Sequence, residues 1–248
     1  MTYPRLVGGH RATLRRSVAL FRAFRVEQTR PEHFYGMLAR DTVAQLGAYA
    51  PLDGAVVLDV GGGSGYFTRE FAAYGARCAC VDCDAGEMTA AGRPPDGSIM
   101  GSALDLPVAD GAVDVCFSSN VLEHVPDPWR MGAEMIRVTR PGGIVFLSFT
   151  NWLSPWGGHE TSPWHYLGGT RAARRYERRQ GKRAKNLYGE SLFPVSVADA
   201  LAWARSRDDA DLVDALPRYH PGWAKTVIHV PGVREIVTWN LALVLRRR

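Results

Sequence analysis

Val56-Val57-Leu58-Asp59-Val60-Gly61-Gly62-Gly63-Ser64-Gly65-Tyr66-Phe67-Thr68 decides the fold of this chain. Apolar residues with an acid near the end of the run read as a buried parallel strand leaving the core. Glycines at alternate positions, Gly61, Gly63 and Gly65, then turn the chain tightly into a helix that opens near Tyr66 or Phe67. Glycine suits this turn because it accepts positive φ and lets backbone approach a ligand closely. The helix start beyond it presents free N–H groups to the same crevice. Strand, glycine loop and helix in that order form the nucleotide-binding switch point of an open α/β sheet.

Spacing decides which nucleotide. The dinucleotide fingerprint G-x-G-x-x-G counted from Gly61 requires a third glycine where Tyr66 stands. The phosphate loop G-x-x-x-x-G-K-[ST] fails because no lysine precedes Lys182. What fits is acid-x-Gly-x-Gly-x-Gly, with Asp59 as the acid. In this the chain resembles the class I S-adenosylmethionine (SAM) dependent methyltransferases, an expectation that the remaining strand ends can test.

At 248 residues, a single α/β domain with insertions is expected, with ample length for a core. No apolar run reaches the roughly 18 residues of a membrane span, and the N-terminus carries no apolar stretch of signal-peptide type. Cys78, Cys80, Cys83 and Cys116 fit reduced thiols in a cytoplasmic protein. Zinc sites usually pair two C-x-x-C units or add histidines, so Cys78–Cys83 reads as strand alternation with cysteine as a small hydrophobe, and no metal is expected. The net charge of +5 is uneven. Residues 171–185 carry eight basic residues against Glu177, and residues 1–30 carry seven arginines against Glu27. Removing those segments (+7 and +6) leaves −8 on the rest of the chain.

In chain order, residues 10–48 read as helices, with Leu14, Val18 and Phe21 at helical spacing and Pro31 at a second helix start. Residues 1–53 are thus expected as N-terminal helices covering the site, and 54–248 as the nucleotide-binding domain. Ala76–Val81 reads as the second strand; Asp82, 23 residues beyond Asp59, stands where a ribose-binding acid is expected, and Cys83 follows beside the adenine. Ser98–Gly101 is a short third strand, Val113–Ser118 a fourth and Ile144–Phe149 a fifth, with a helix over Met131–Thr139 and a turn at Arg140–Gly143 between the last two. Ser196-x-x-Asp199 opens a helix over Val197–Arg205, and Lys225–Val230 and Thr238–Leu245 supply the last strands. The order implies a Rossmann-like, doubly wound α/β sheet. The family resemblance adds seven strands with an antiparallel last strand and a cap insertion, residues 150–194, after the fifth strand.

Other segments carry the same resemblance. Gly101-Ser102-Ala103-Leu104-Asp105-Leu106-Pro107 is similar to the family's adenine-side segment, with Ser102 where aspartate is common and Ala103 beside it. Ser119-Asn120-Val121-Leu122-Glu123-His124-Val125 is similar to the segment that meets the methionine part of SAM, which adds Asn120 to the cofactor residues Asp59, Gly61, Gly63, Gly65, Tyr66, Asp82, Cys83, Ser102 and Ala103. The whole chain also resembles a group of actinobacterial methyltransferases through Glu27-Gln28, Phe34-Tyr35-Gly36, Gly157-Gly158-His159-Glu160, His165-Tyr166-Leu167-Gly168-Gly169 and Ser191-Leu192-Phe193.

The insertion follows the fifth strand at the sheet edge where ligands bind. His159 and His165 are its candidate bases, with His124 a rival, and Trp156, Glu160, Tyr166 and Arg174 are candidate substrate contacts. A divalent metal on His159, Glu160 and His165 is the lesser alternative. The expected reaction is O-methylation of a small-molecule or lipid-linked acceptor, with S-adenosylhomocysteine as product. The arginine-rich segments fit an anionic acceptor or an anionic membrane surface. Nucleic-acid methylation is disfavoured because Ser119–Leu122 lacks the Asn/Asp-Pro-Pro-aromatic motif. A non-catalytic SAM-binding protein is the remaining alternative.

Overall fold

In a computed structural model, which describes residues 10–248, the deciding stretch is strand Val56–Val60 (β1) running into helix Tyr66–Ala73. The other strands are Arg77–Asp82 (β2), Ser98–Met100 (β3), Val113–Ser119 (β4), Thr139–Thr150 (β5), Ala210–Pro217 (β6) and Asn240–Arg247 (β7). They form one sheet in the order β3-β2-β1-β4-β5-β7-β6. Strands β1 to β5 are mutually parallel, and β7 inserts antiparallel between β5 and β6. The order reverses between β1 and β4, so the crevice at their carboxyl ends is the switch point.

Period-two alternation sends side chains of each strand to two cores. Leu58, Val60, Cys116, Val145 and Leu147 pack with Met131, Met135 and Ile136 of helix Pro128–Val138 and with Leu201 of helix Val197–Arg205. On the opposite face Val57, Val115, Phe117, Ile144 and Phe146 pack with Phe67 and Phe71 and with the two N-terminal helices, Leu14–Phe24 (α1) and Pro31–Leu46 (α2). Those helices therefore share the core of the sheet. Residues 1–9 of the expected 1–53 region lie outside the described residues.

Local chemistry sets the helix starts. Pro31 occupies the first turn of α2, where its missing N–H costs nothing. Ser196 accepts from the Asp199 N–H at 2.9 Å and donates its hydroxyl to the Asp199 carboxylate at 2.7 Å, a side-chain N-cap in which the acid meets the hydroxyl rather than the backbone N–H of a full capping box. Gly75, at φ +89°, ends the helix after the glycine loop.

Two expectations are corrected. Arg140–Gly143 is not a free turn: β5 already pairs at Thr139, and the extra residues form a register shift against β4. Lys225–Val230 is not a strand. Residues Gly222–His229 wind as 3₁₀ turns that bury Ala224 and Ile228, four apart, between Pro221 and Pro231. Of the β-branched residues there only Ile228 is buried, with Thr226 and Val230 left exposed, and Ala210–Pro217 supplies the strand instead. No helix among the described residues is long and apolar enough to cross a membrane.

Candidate functional site

The glycine loop is held from below and crowded from the sides. Gly61, Gly63 and Gly65 have φ of +71°, +47° and +73°. A Cβ on Gly61 would lie 2.4 Å from Val121, and one on Gly65 would lie 2.0 Å from Pro95, so both positions exclude side chains sterically as well as conformationally. Gly63 differs: its Cβ would have no neighbour nearer than 3.9 Å, because that glycine borders the open crevice. Asp59 is buried beneath the loop, 1% exposed, and accepts from the Thr68 hydroxyl at 2.7 Å. Burial, with the Asp82 charge adding, pushes its carboxyl up to about 7. Asp59 thus supports the loop from the core rather than lining the crevice.

Asp82 ends β2 facing the loop. One carboxylate oxygen accepts from the Gly63 N–H at 2.9 Å and the other from the Asp84 N–H at 2.9 Å, which leaves lone pairs on both for further donors. Cys83 is exposed, whereas Cys80 is buried under Gly62 and its thiol is pushed up to about 12 by that burial. On the next strand edge Ser102 is exposed, its hydroxyl accepting from the Leu104 N–H at 3.1 Å, with Ala103 half-buried beside it. Tyr66, at the helix start, stacks on Tyr35 with ring centroids 5.4 Å apart. The residues present fit an adenosine-bearing cofactor: open space at Gly63, a carboxylate with free lone pairs at the second strand end, and free helix N–H groups.

Asn120 follows β4 at φ +58°. Its amide donates to the Tyr219 hydroxyl at 3.3 Å and its carbonyl accepts from Asn240 at 2.6 Å. Arg218, 1% exposed, has no carboxylate partner and instead donates to Ser119, Ser148 and Thr42 at 2.6–2.7 Å. Burial lowers its affinity for a proton. This network ties the ends of β4, β5 and β7 to α2 directly beneath the site.

The acceptor side joins segments far apart in sequence. After β4, the 3₁₀ turn Leu122–His124 places His124 so that its Nδ1 lies 2.7 Å from the Ser191 carbonyl. A carbonyl only accepts, so this nitrogen carries a proton, and in the neutral ring the lone pair falls on Nε2. The rings of His124 and His159 meet edge to face at 5.0 Å. His159 stands at φ +48°, a left-handed conformation rare outside glycine, and its Nε2 is buried without a partner. Burial, then the neighbouring histidines, pulls its imidazole down to about 3, so it is neutral at physiological pH. Glu123 is 1% exposed; one oxygen accepts from the Thr150 N–H at 2.9 Å and the other has no partner. Burial raises its carboxyl above the usual range.

His165 departs from the expectation of a catalytic base. It is 1% exposed, with Nε2 3.1 Å from the Ser154 carbonyl and its ring packed edge-on against Trp152. A Cβ on Gly158 would lie 2.5 Å from its own Cβ, so the glycine exists to admit it. His165 is an internal brace of the insertion. Glu160 is exposed and accepts from Asn186 at 2.9 Å, so His159, Glu160 and His165 do not converge. Among the described residues, the group of His, Cys, Asp and Glu side chains that does converge is Glu123, His124 and His159.

Of the candidate substrate contacts, Trp156 packs at 4.5–6.0 Å against Phe21, Phe24 and Trp239 and joins the insertion to α1. Tyr166 donates its hydroxyl to the Leu153 carbonyl at 3.1 Å. Arg174 lies exposed on helix Gly169–Gln180 (α6), lining a surface hollow of about 520 Å³ with Arg171, Glu177 and Arg178. The insertion also reaches back over the cofactor side, where Lys185 pairs with Glu87 at 2.6 Å.

Besides Glu123, which the sequence does not single out from its segment, the Glu27–Tyr35 pair and Tyr219 join the site without a sequence signal of their own. Tyr35 donates to Glu27 at 2.5 Å, and burial raises the Glu27 carboxyl, with the charge of Glu160 adding to the shift. Tyr219, buried above Arg218, links Asn120 to the aromatic wall through Trp239 at 4.8 Å. Glu27 and Tyr35 stand in the quoted N-terminal stretch, but nothing in their spacing pairs them across a turn; Tyr219 has no local signal.

Comparison with known proteins agrees with this geometry. A family model described as a methyltransferase domain matches residues 58–147. An uncharacterized methyltransferase of Mycobacteroides abscessus is 53% identical, the match covering 96% of each chain. One from Mycobacterium leprae is 55% identical, covering 98% of this chain and 93% of its own. Among solved structures, a SAM-dependent methyltransferase from Mesorhizobium loti shares the fold with a TM-score of 0.58 at 19% identity, over 84% of this chain and 98% of that one.

Proposed function

This chain belongs to the class I SAM-dependent methyltransferases, and from that premise we propose that it methylates a hydroxyl on a small-molecule or lipid-like acceptor held between the glycine loop and the insertion. The observation that carries the reading is the Glu123–His124–His159 cluster, buried at Glu123 and half-buried at the two histidines, in which one Glu123 oxygen and His159 Nε2 have no partner and are free to accept. A hydroxyl is a poor nucleophile until its proton is drawn away, and a cluster of acceptors that stays neutral at His159 supplies the pull.

When bound, SAM supplies a methyl group on a positively charged sulfonium. Asp82 would hold the ribose through its free lone pairs, Gly61 and Gly63 would admit the adjoining backbone contacts, and Asn120 would border the methionine end. The aromatic wall of Phe24, Trp156 and Trp239 excludes water and offers an apolar bed to the acceptor. Transfer then needs close, aligned positioning more than covalent help from the protein.

The acceptor is proposed to be anionic, because Arg171, Arg174 and Arg178 line one exposed hollow. Exposed Leu14, Val18 and Phe21 on α1, flanked by Arg11, Arg15 and Arg22, favour peripheral contact with an anionic membrane surface from the cytoplasmic side. The four free cysteines suit that compartment.

Calorimetry with S-adenosylhomocysteine and NAD tests the cofactor: the former binds and the latter does not. Transfer of radiolabelled methyl from SAM into cell extracts, followed by extraction into organic solvent, identifies the acceptor. Label found only in nucleic acid or protein overturns the proposed substrate class.

A further inference from the structure

Glu123, His124 and His159 each point one ligand-type atom inward, and these atoms all lie within 4.8 Å of one another. They come from two 3₁₀ turns, Leu122–His124 and His159–Thr161, brought together over the sheet edge. Each inward atom can offer a lone pair. The second Glu123 oxygen and His159 Nε2 are buried without partners, and in the neutral His124 ring the lone pair falls on Nε2 because Nδ1 donates to the Ser191 carbonyl. A stranded buried acceptor is costly, and a non-glycine residue at positive φ adds strain of its own. One bridging water has two protons for three acceptors and leaves the carboxylate charge uncompensated. A cation satisfies all three atoms and neutralises that charge at once.

We propose that Glu123, His124 and His159 form a binding site for a divalent transition cation of the zinc type, with its open position toward the acceptor. Two imidazoles and one carboxylate are a donor set of open zinc sites, and a proton-donating second nitrogen held by a backbone carbonyl is the usual support for such a histidine. Tetrahedral ligation at about 2.0–2.2 Å brings ligand atoms to roughly 3.4 Å, so closing the trio by on the order of 1 Å completes the site. The cation would make an acceptor hydroxyl acidic at neutral pH. This inference deepens the methyl-transfer reading of the same site and rests on it for that consequence, although the binding itself does not.

The untagged chain, stripped with a chelator and dialysed, should be titrated with Co²⁺ followed by visible absorption, and with Zn²⁺ against a chelating dye. The expected result is a single saturable equivalent with the absorption of a low-symmetry, tetrahedral-type site. Glu123→Gln and His159→Ala should each weaken binding at least about 10-fold, while calorimetry shows S-adenosylhomocysteine affinity unchanged in both. Wild-type protein that binds S-adenosylhomocysteine but takes up neither metal overturns the cation site and leaves methyl transfer standing. Metal binding that survives both substitutions also overturns it. Metal uptake without S-adenosylhomocysteine binding would retain the cation site and sink the cofactor reading.

Discussion

The glycine loop is built within a single stretch, Val56–Tyr66, whereas the cluster on the acceptor side takes Glu123 and His124 from the end of β4 and His159 from the insertion. The first region relies on backbone: positive φ at three glycines, N–H groups, and one buried acid beneath. The second relies on side chains whose polar atoms are buried and partly unpartnered. Backbone sites tolerate little change of shape, because a Cβ at Gly61 meets Val121 and one at Gly65 meets Pro95. Side-chain sites tolerate changes of shape but not of chemistry. Cofactor binding and turnover should therefore separate cleanly by mutation.

The strongest test of that separation is Gly63→Arg. Its Cβ has room, so only the strain of a side chain at φ +47° weighs against the fold, while the arginine stem fills the crevice and calorimetric binding of S-adenosylhomocysteine to the folded variant, checked by circular dichroism, should vanish. If binding survives, the loop is not the cofactor site. His159→Ala should do the reverse, lowering turnover by about 100-fold or more while cofactor affinity stays within error. Equal loss of both would merge the two regions into one.

Asp59→Asn probes the support beneath the loop. In the folded chain burial raises the carboxyl to about 7, against about 3.9 when unfolded. Between those values the folded state holds a proton that the unfolded state has released, so this group costs stability increasingly as pH rises from about 4 to about 7. The asparagine can still accept from Thr68. Its stability relative to wild type should thus grow across that window in urea melts at successive pH values; a constant difference refutes the buried, neutral role. Tyr35→Phe should cost about 1–3 kcal/mol in the same melts, since it leaves the Glu27 carboxyl without its donor. Lys185→Ala should be the mildest, within about 1 kcal/mol, because the pair with Glu87 is largely solvent-exposed.

The contrast also explains what was legible in the sequence. Strand, glycine loop, Asp82 and the Ser196–Asp199 helix cap are local, and each is written in neighbouring residues with a known spacing. The sheet followed from them. The acceptor site was legible only in part. His159, Glu160 and His165 are close in sequence, yet the 3₁₀ turns point His165 into the insertion and Glu160 out to Asn186. The partners that His159 does meet lie 35 and 36 positions earlier, and no periodicity links segments across a sheet edge. Lys225–Val230 misled for a related reason: β-branched composition speaks for a strand, but flanking prolines and a four-residue burial spacing overrode it.

The Lys185–Glu87 bridge spans 98 positions and fastens the insertion to the helix beside the glycine loop. A spent cofactor leaving that crevice would pass this contact, but a pair worth no more than about 1 kcal/mol opens readily and should not hold back release. Wild type and Lys185→Ala should therefore give the same presteady amplitude of methylated product, and a burst present in one but not the other would show that the contact gates the exit.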